Sequence, residues 1–238
     1  SGWLSSASET PLNGRMSPNR RMDWQQTDLA QVKSIKNALG GTVNDTGLAI
    51  ATGAIREFLT ENRNFPVDEL DFRVMAPVSV RSSGREGQLG NQVAMWLVSR
   101  PVNEPDPIER YRRIQDETKK LKETDQALGA STLVQISAGA PSTLVALGAR
   151  LAAGNVRPFN MTVTNVPGPQ FPLYLLGSRM LSQIPLVPLW AQHGLGLAQF
   201  SYDGTLTWGL NADRDLVPDL RDFGTAIQGS LDELTAAV

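Results

Sequence analysis

Cysteine is missing from these 238 residues, and histidine occurs once, as His193. Without cysteine there can be no disulfide, thiolate metal site or thiol nucleophile, which suits a cytoplasmic protein. One histidine cannot build a histidine-based metal cage, so no metal site is expected. A Ser-His-Asp triad would have to use His193, and no Gly-x-Ser-x-Gly elbow accompanies it. Gly-x-Gly-x-x-Gly and Walker loops are absent as well, and no cofactor is expected. The formal net charge of −2 gives no electrostatic case for nucleic acid. Residues 1–11 lack a basic stretch followed by an apolar run, so no signal peptide is expected. The chain opens on Ser1 rather than Met, as a processed or truncated product would.

What is present belongs to a globular domain. Hydrophobic residues make up 41% and charged residues 19%, and the length suffices for one sizeable core. Residues 1–24 are polar and basic, with Pro11, Gly14, Pro18 and Arg20-Arg21, and read as a linker or arm. Leu29, Val32, Ile35 and Leu39 then fall on one helical face that should stop at Gly40-Gly41. Thr42, with Asp45 three residues on, has the form of a capping box. It opens a second helix with Leu48, Ala51, Ile55, Phe58 and Leu59 along its stripe.

The period then changes. Residues 72–80 suggest a strand interrupted by Pro77, residues 81–90 a glycine-bearing loop, and residues 93–98 a second strand. A long helix with a charged outer face should occupy 108–128, with Ile108, Tyr111, Ile114, Leu121 and Leu128 inward. No residue between Asp125 and Arg150 is charged. The stretch contains Gln126, Gln135 and Pro141, so two buried or interfacial helices are expected rather than a membrane span. Residues 160–166 read as a strand ended by Pro167-Gly168-Pro169, and residues 171–181 as another extended segment. Asp203-Gly204 between two strand-like runs signals a hairpin. A last helix should begin near Pro218 and bury Leu220, Phe223, Ile227, Leu231 and Leu234. About five helices and four to six strands without strict alternation give an α/β or α+β fold with a mixed sheet.

The candidate functional residues each have a structural competitor. Asn44-Asp45 at a helix N-terminus could face a ligand, or could only satisfy free backbone N–H groups. Asn165 to Pro169 could wall a substrate channel, or could only stiffen a strand end. Arg81 and Arg85, with Arg20 and Arg21, could bind phosphates such as those of coenzyme A, or could simply be surface. His193 could be a general base, or a solvated or hydrogen-bonded turn residue.

Taken in order, these segments carry a resemblance. Thr42-Val43-Asn44-Asp45, Ala76-Pro77-Val78-Ser79-Val80-Arg81, Leu89-Gly90-Asn91-Gln92, Thr164-Asn165-Val166-Pro167-Gly168-Pro169, Ser201-Tyr202-Asp203-Gly204 and Asp213-Arg214 follow one another along the chain. In order and spacing they resemble the C-terminal domain of the bacterial wax ester synthase/diacylglycerol acyltransferase family. Thr10 to Gly14 with Arg20-Arg21 is similar to that family's interdomain segment, which makes residues 1–24 a linker and 25–238 the domain.

The resemblance implies one domain of a two-domain fold of the chloramphenicol acetyltransferase class. It further implies transfer of a fatty acyl group from acyl-coenzyme A, as co-substrate, to diacylglycerol or a long-chain alcohol. The family's catalytic histidine lies in a His-His-x-x-x-Asp-Gly motif on the N-terminal half, and this chain has no counterpart. Asn44, Asp45, Asn165, Pro167, Gly168 and Pro169 are then substrate or channel residues, and the implied partner is that N-terminal half. A membrane or lipid-droplet surface is a further partner. The alternative is a non-catalytic acyl-lipid or acyl-coenzyme A binding module or scaffold.

Overall fold

The computed structural model describes residues 5–79, 93–128 and 157–238. The chain enters through strand β1 (Arg20–Asp28) and helices α1 (Leu29–Leu39) and α2 (Val43–Glu57), whose last turn widens into a π-turn over Phe58–Asn62. Strands β2 (Phe72–Ser79) and β3 (Val93–Arg100), helix α3 (Pro107–Leu128) and strand β4 (Met161–Pro167) follow. Short strands β5 (Tyr174–Leu175) and β6 (Ser178–Arg179) precede β7 (Leu195–Tyr202), β8 (Thr205–Asp213) and helix α4 (Leu220–Ala236).

Six strands form one mixed sheet in the order β1-β8-β7-β4-β2-β3, with β7-β4 and β4-β2 parallel and the other neighbours antiparallel. One sheet face meets the helices. Leu195 and Leu197 of β7 and Leu206, Trp208, Leu210 and Ala212 of β8 join Val32, Ile35, Ile50, Ala54, Phe223 and Ile227 in a single buried cluster. The period of two in the strands and the stripes on the helices meet there.

Local signals explain most boundaries. Asp28 caps α1 by accepting from Ala30 N at 2.8 Å, and Gly40 and Gly41 end it at φ 81° and 84°. Asp106 accepts from Ile108 N and Glu109 N, each at 2.9 Å, at the start of α3. Asp203 and Gly204 take φ 44° and 82°, the pair of positive values that a two-residue hairpin needs between β7 and β8.

Three expectations change. The stretch 1–24 is not a free arm over its described part. Arg20 to Trp24 form the first half of β1 and pair with β8 from Asp213 to Gly209. Upstream, Leu12 is buried and Asn13 donates to Asn160 O at 2.9 Å, while Ala7 N donates to Arg157 O at 2.7 Å. An edge strand with polar residues on both faces carries no periodic apolar signal, so composition hides it. The extended segment expected over 171–181 folds back on itself instead. β5 and β6 pair across Leu176-Gly177, at φ 50° and 83°. The second strand of the β2–β3 pair runs two residues past Val98 to Arg100. Among the described residues no helix is long and apolar enough to cross a membrane. Residues 129–149 of the uncharged stretch lie outside the described residues, as do Arg81 and Arg85.

Over β7 and β8 the sheet face turned away from the helices is covered by the segment that follows β6. It lies so close that a Cβ added at Gly209 would sit 1.6 Å from Pro185 O, and one at Gly196 would sit 2.8 Å from Val187 Cγ1. Asn211 Nδ2 donates to Val187 O at 3.0 Å and fastens it there. Tyr202 holds the segment's start, donating to Met180 O at 3.1 Å, and accepts from Leu173 N, just ahead of β5, at 2.7 Å.

Candidate active site

Two segments far apart in sequence meet at the N-terminal end of α2. Thr42 caps that helix, and the capping box closes in both directions. Asp45 N donates to Thr42 Oγ1 at 3.2 Å, and Asp45 Oδ2 accepts from Thr42 N at 2.8 Å. The other carboxylate oxygen, Oδ1, accepts from Thr118 Oγ1 of α3 at 2.8 Å. Asp45 is thus buried and bound on both oxygens, and it joins α2 to α3.

Asn44 precedes it by about 100° around the helix and so faces elsewhere. It is half-buried, and its Oδ1 accepts from Asn165 Nδ2 at 3.2 Å. Asn165 sits near the C-terminal end of β4, in register with Gln199 of β7. The hydrogen bond therefore joins the two motifs, 121 residues apart in the chain.

The Pro-Gly-Pro turn is bolted to the β7–β8 hairpin. Gly168 N donates to Ser201 Oγ at 3.2 Å, and Asp203 N donates to Pro169 O at 3.1 Å. A Cβ at Gly168 would fall 2.3 Å from Ser201 O and 2.4 Å from the Phe200 ring, so only glycine fits. Pro167 ends the β4–β7 register opposite Ser201. These three residues fix where β4 stops and thereby where Asn165 points.

One residue of this corner was not singled out from sequence. Gln199 is 1% exposed, and neither amide atom has a hydrogen-bond partner among the described residues. It lies against Gly47 of α2, where a Cβ would come within 2.2 Å of its Oε1. The available signal was alternation: Leu195, Leu197 and Gln199 share the helix-facing side of β7, so a polar residue stands in a core position.

Behind Asp45, burial shapes the electrostatics. Arg100 of β3 is 3% exposed, its guanidinium has no hydrogen bond among the described residues, and burial lowers its pKa to about 10 against the pull of Glu117 and Asp45. Burial in turn raises Glu117, with Arg100 opposing. Tyr111 is also raised by burial; it donates to Gly40 O at 2.8 Å and lies 3.0 Å from Thr46 Oγ1.

His193 belongs to a different place. It lies six residues before Gln199, about 20 Å along an extended chain. It is buried, not solvated: the ring stacks on Phe159 at 4.0 Å, with Nδ1 2.6 Å from Ala191 O and Nε2 2.9 Å from Phe159 O. Burial lowers its pKa, opposed by those carbonyls. The neutral ring is favoured in the fold, so the unfolded chain binds its proton first. Its contribution to stability is complete above pH 6.5 and declines as pH falls through the lowered value. Thermal melts at pH 7.5 and 5.5 should therefore show a larger Tm drop for the wild type than for His193→Gln. Equal drops would remove this assignment.

The geometry can now be set beside known proteins. The family description "WS/DGAT C-terminal domain" matches residues 89–235, and "Wax ester synthase/diacylglycerol acyltransferase catalytic domain" matches residues 4–46. A Mycobacterium tuberculosis protein named as a diacylglycerol O-acyltransferase, Rv3480c, is 35% identical over 233 residues, covering 95% of this chain and 46% of its own length. Another from the same organism, tgs1, also named as a diacylglycerol O-acyltransferase, is 32% identical over 99% of this chain and 50% of its own. This chain spans about half the length of those relatives.

Among solved structures, the wax ester synthase/diacylglycerol acyltransferase of Marinobacter aquaeolei VT8 superposes with a TM-score of 0.77 at 24% identity. It covers 97% of this chain and 52% of its own. The starter condensation domain of rhizomide synthetase shares the fold at a TM-score of 0.57 and 16% identity, over 96% of this chain and 49% of its own. The mixed sheet with flanking helices is thus one domain of a two-domain acyltransferase fold. With its Asn44-Asp45 and Asn165–Pro169 motifs joined at one corner of that sheet, this chain belongs to the wax ester synthase/diacylglycerol acyltransferase family.

Proposed function

We propose that the chain is the C-terminal half of an O-acyltransferase that moves a fatty acyl group from acyl-coenzyme A to diacylglycerol or a long-chain alcohol. Its N-terminal half would carry the His-His-x-x-x-Asp-Gly histidine as general base. The observation that carries this reading is the Asn165 Nδ2 to Asn44 Oδ1 hydrogen bond, which gathers the two motifs into one polar corner at the positive end of α2. In this reading residues 25–238 are the C-terminal domain, and 1–24 lead in from the other half. Arg81 and Arg85 bind coenzyme A phosphates. The reaction needs no bound cofactor.

The test is to combine this chain with a polypeptide bearing the histidine motif and supply acyl-coenzyme A with hexadecanol or diacylglycerol. Thiol release and ester formation are expected only from the combination. Lipid binding without turnover by the combination would favour the scaffold or binding module instead.

The other half also needs a surface. Met22 and Trp24 of β1, together with Tyr174, Leu175, Leu176 and Leu181 around the β5–β6 turn, are more than half exposed. Large apolar side chains exposed to this degree mark interaction sites, and we assign them to the N-terminal half. Leu176, at 99% exposure, has no packing to lose. Leu176→Asp should therefore leave Tm within about 1 °C, yet weaken co-purification of the two halves. Unchanged co-purification would move the interface elsewhere. A peripheral position at a membrane or lipid droplet is the further proposal, tested by flotation of the assembled protein with phosphatidylcholine vesicles.

A further inference from the structure

Gln199 poses a question that the two motifs do not answer. A buried amide with no partner costs free energy, and native folds rarely leave one without a reason. Here the fold has made room for it. Gly47 lies three residues after Asn44 on the same face of α2, and any side chain there would strike the Gln199 amide, 2.2 Å from Oε1 and 3.4 Å from Nε2. Oε1 thus looks onto the Gly47 Cα–H, a weak acceptor arrangement. Among the described residues the two N–H bonds of Nε2 are left without an acceptor.

The surroundings give that donor a purpose. Gln199 and Asn165 are register partners on adjacent parallel strands, and Asn165 holds Asn44 by its Oδ1. This turns the Asn44 Nδ2 into a second donor, with no hydrogen bond among the described residues. Two amide donors and the N-terminus of a 15-residue helix therefore share one corner, and among the described residues no carboxylate is hydrogen-bonded to any of the three amides. Such a corner suits an oxygen on which negative charge develops.

We propose that Gln199 Nε2, seconded by Asn44 Nδ2, donates to the thioester carbonyl oxygen of the acyl group during transfer. This rests on the acyltransferase reading above. In the step, the acceptor hydroxyl oxygen bonds to the carbonyl carbon and its proton passes to the general base. The carbonyl π pair moves onto oxygen, where the amides receive it. Collapse restores the carbonyl, the carbon–sulfur bond breaks, and the departing thiolate takes the proton from the base. The products are the ester and free coenzyme A thiol. A donor to that oxygen is a catalytic residue, and its effect belongs in kcat.

The experiment uses the assembled two-half enzyme with palmitoyl-coenzyme A and hexadecanol. Absence of turnover in the wild type would overturn the acyltransferase reading itself, before any variant is made. With an active wild type, Gln199→Met is expected to lower kcat about 100-fold, with KM for acyl-coenzyme A little changed and Tm unchanged or raised. A kcat within threefold of wild type would overturn the proposal.

Gln199→Glu separates chemistry from folding. Its carboxylate cannot donate, whereas its protonated form can. Its activity relative to wild type should rise several-fold as pH is lowered from 8 to 6, while Gln199→Met stays flat. A flat ratio for Gln199→Glu, or a kcat loss in Gln199→Met that merely follows a fall in Tm with no such recovery, would make Gln199 structural only.

Discussion

Replacing Gly209 with valine should lower Tm by about 6–12 °C, the equivalent of roughly 3 kcal/mol in a chain of this size. The argument is steric. Gly209 lies on the sheet face turned from the helices, between Ala198 of β7 and Trp24 of β1. The Pro185 carbonyl rests directly on it, 1.6 Å from where a Cβ would be. No rotamer relieves that contact, because the clash begins at Cβ and the opposing atom is backbone. Either β8 shifts, which its Trp208 and Leu210 neighbours in the core resist, or the covering segment lifts. Lifting breaks the Asn211 Nδ2 to Val187 O hydrogen bond and exposes Val187.

Limited proteolysis should distinguish the two outcomes, with cleavage within 182–190 much faster in Gly209→Val than in wild type. Gly196→Ala meets the Val187 side chain at 2.8 Å rather than backbone, so its effect should be smaller. Equal stability of Gly209→Val and wild type would mean that the segment does not sit on the sheet in solution.

Asp45→Ala should be comparably destabilising, by about 3 kcal/mol. The carboxylate accepts from Thr42 N, Thr42 Oγ1 and Thr118 Oγ1, so its removal opens the capping box and cuts the α2–α3 tie, leaving the Thr118 hydroxyl only Gln115 O within its own helix. It also withdraws one of the two carboxylates that favour the charge of the buried Arg100. Asn44→Ala breaks one half-buried hydrogen bond and should cost no more than about 1 kcal/mol.

Chemical denaturation of both variants therefore separates two roles that adjacent residues could easily share. Activity lost in Asp45→Ala should track unfolding and return on cooling or with a stabilising osmolyte. Activity lost in Asn44→Ala should persist in a fully folded protein. If Asp45→Ala proves as stable as wild type yet inactive, the carboxylate acts on the substrate and not on the helix.

The chemistry assigned to the corner divides along the same line. Asp45, Pro167, Gly168 and Pro169 hold backbone in place; Asn44, Asn165 and Gln199 present amides. Both groups come from motifs that sequence analysis singled out, except for Gln199 and for Gly47, which makes room for it. Motif order pointed to Asn44 and Asn165 separately, but nothing in either motif states that they touch. The same limit applies to His193. Its turn sequence allowed a base or a hydrogen-bonded residue, and only the stacking on Phe159 and the two carbonyls decide for the latter.

What the amino-acid sequence determined by itself was governed by contacts a few residues long. The stripes of Leu29, Val32 and Ile35 and of Leu220, Phe223 and Ile227, the Thr42-Asp45 box and the Asp203-Gly204 turn each act within one or two turns of chain. Tertiary structure alone decided the rest. Arg20–Asp28 becomes a strand because β8 offers it an edge, not because its own residues alternate. Gln199 becomes a buried donor with no partner among the described residues because α2 brings Gly47 over it. Asn44 and Asn165 become hydrogen-bond partners because the parallel β4–β7 pairing sets Asn165 under the first turn of α2. The physical reason is common to all three: each depends on groups more than a hundred residues apart in the chain, whose meeting is set by closure of the whole sheet upon its core.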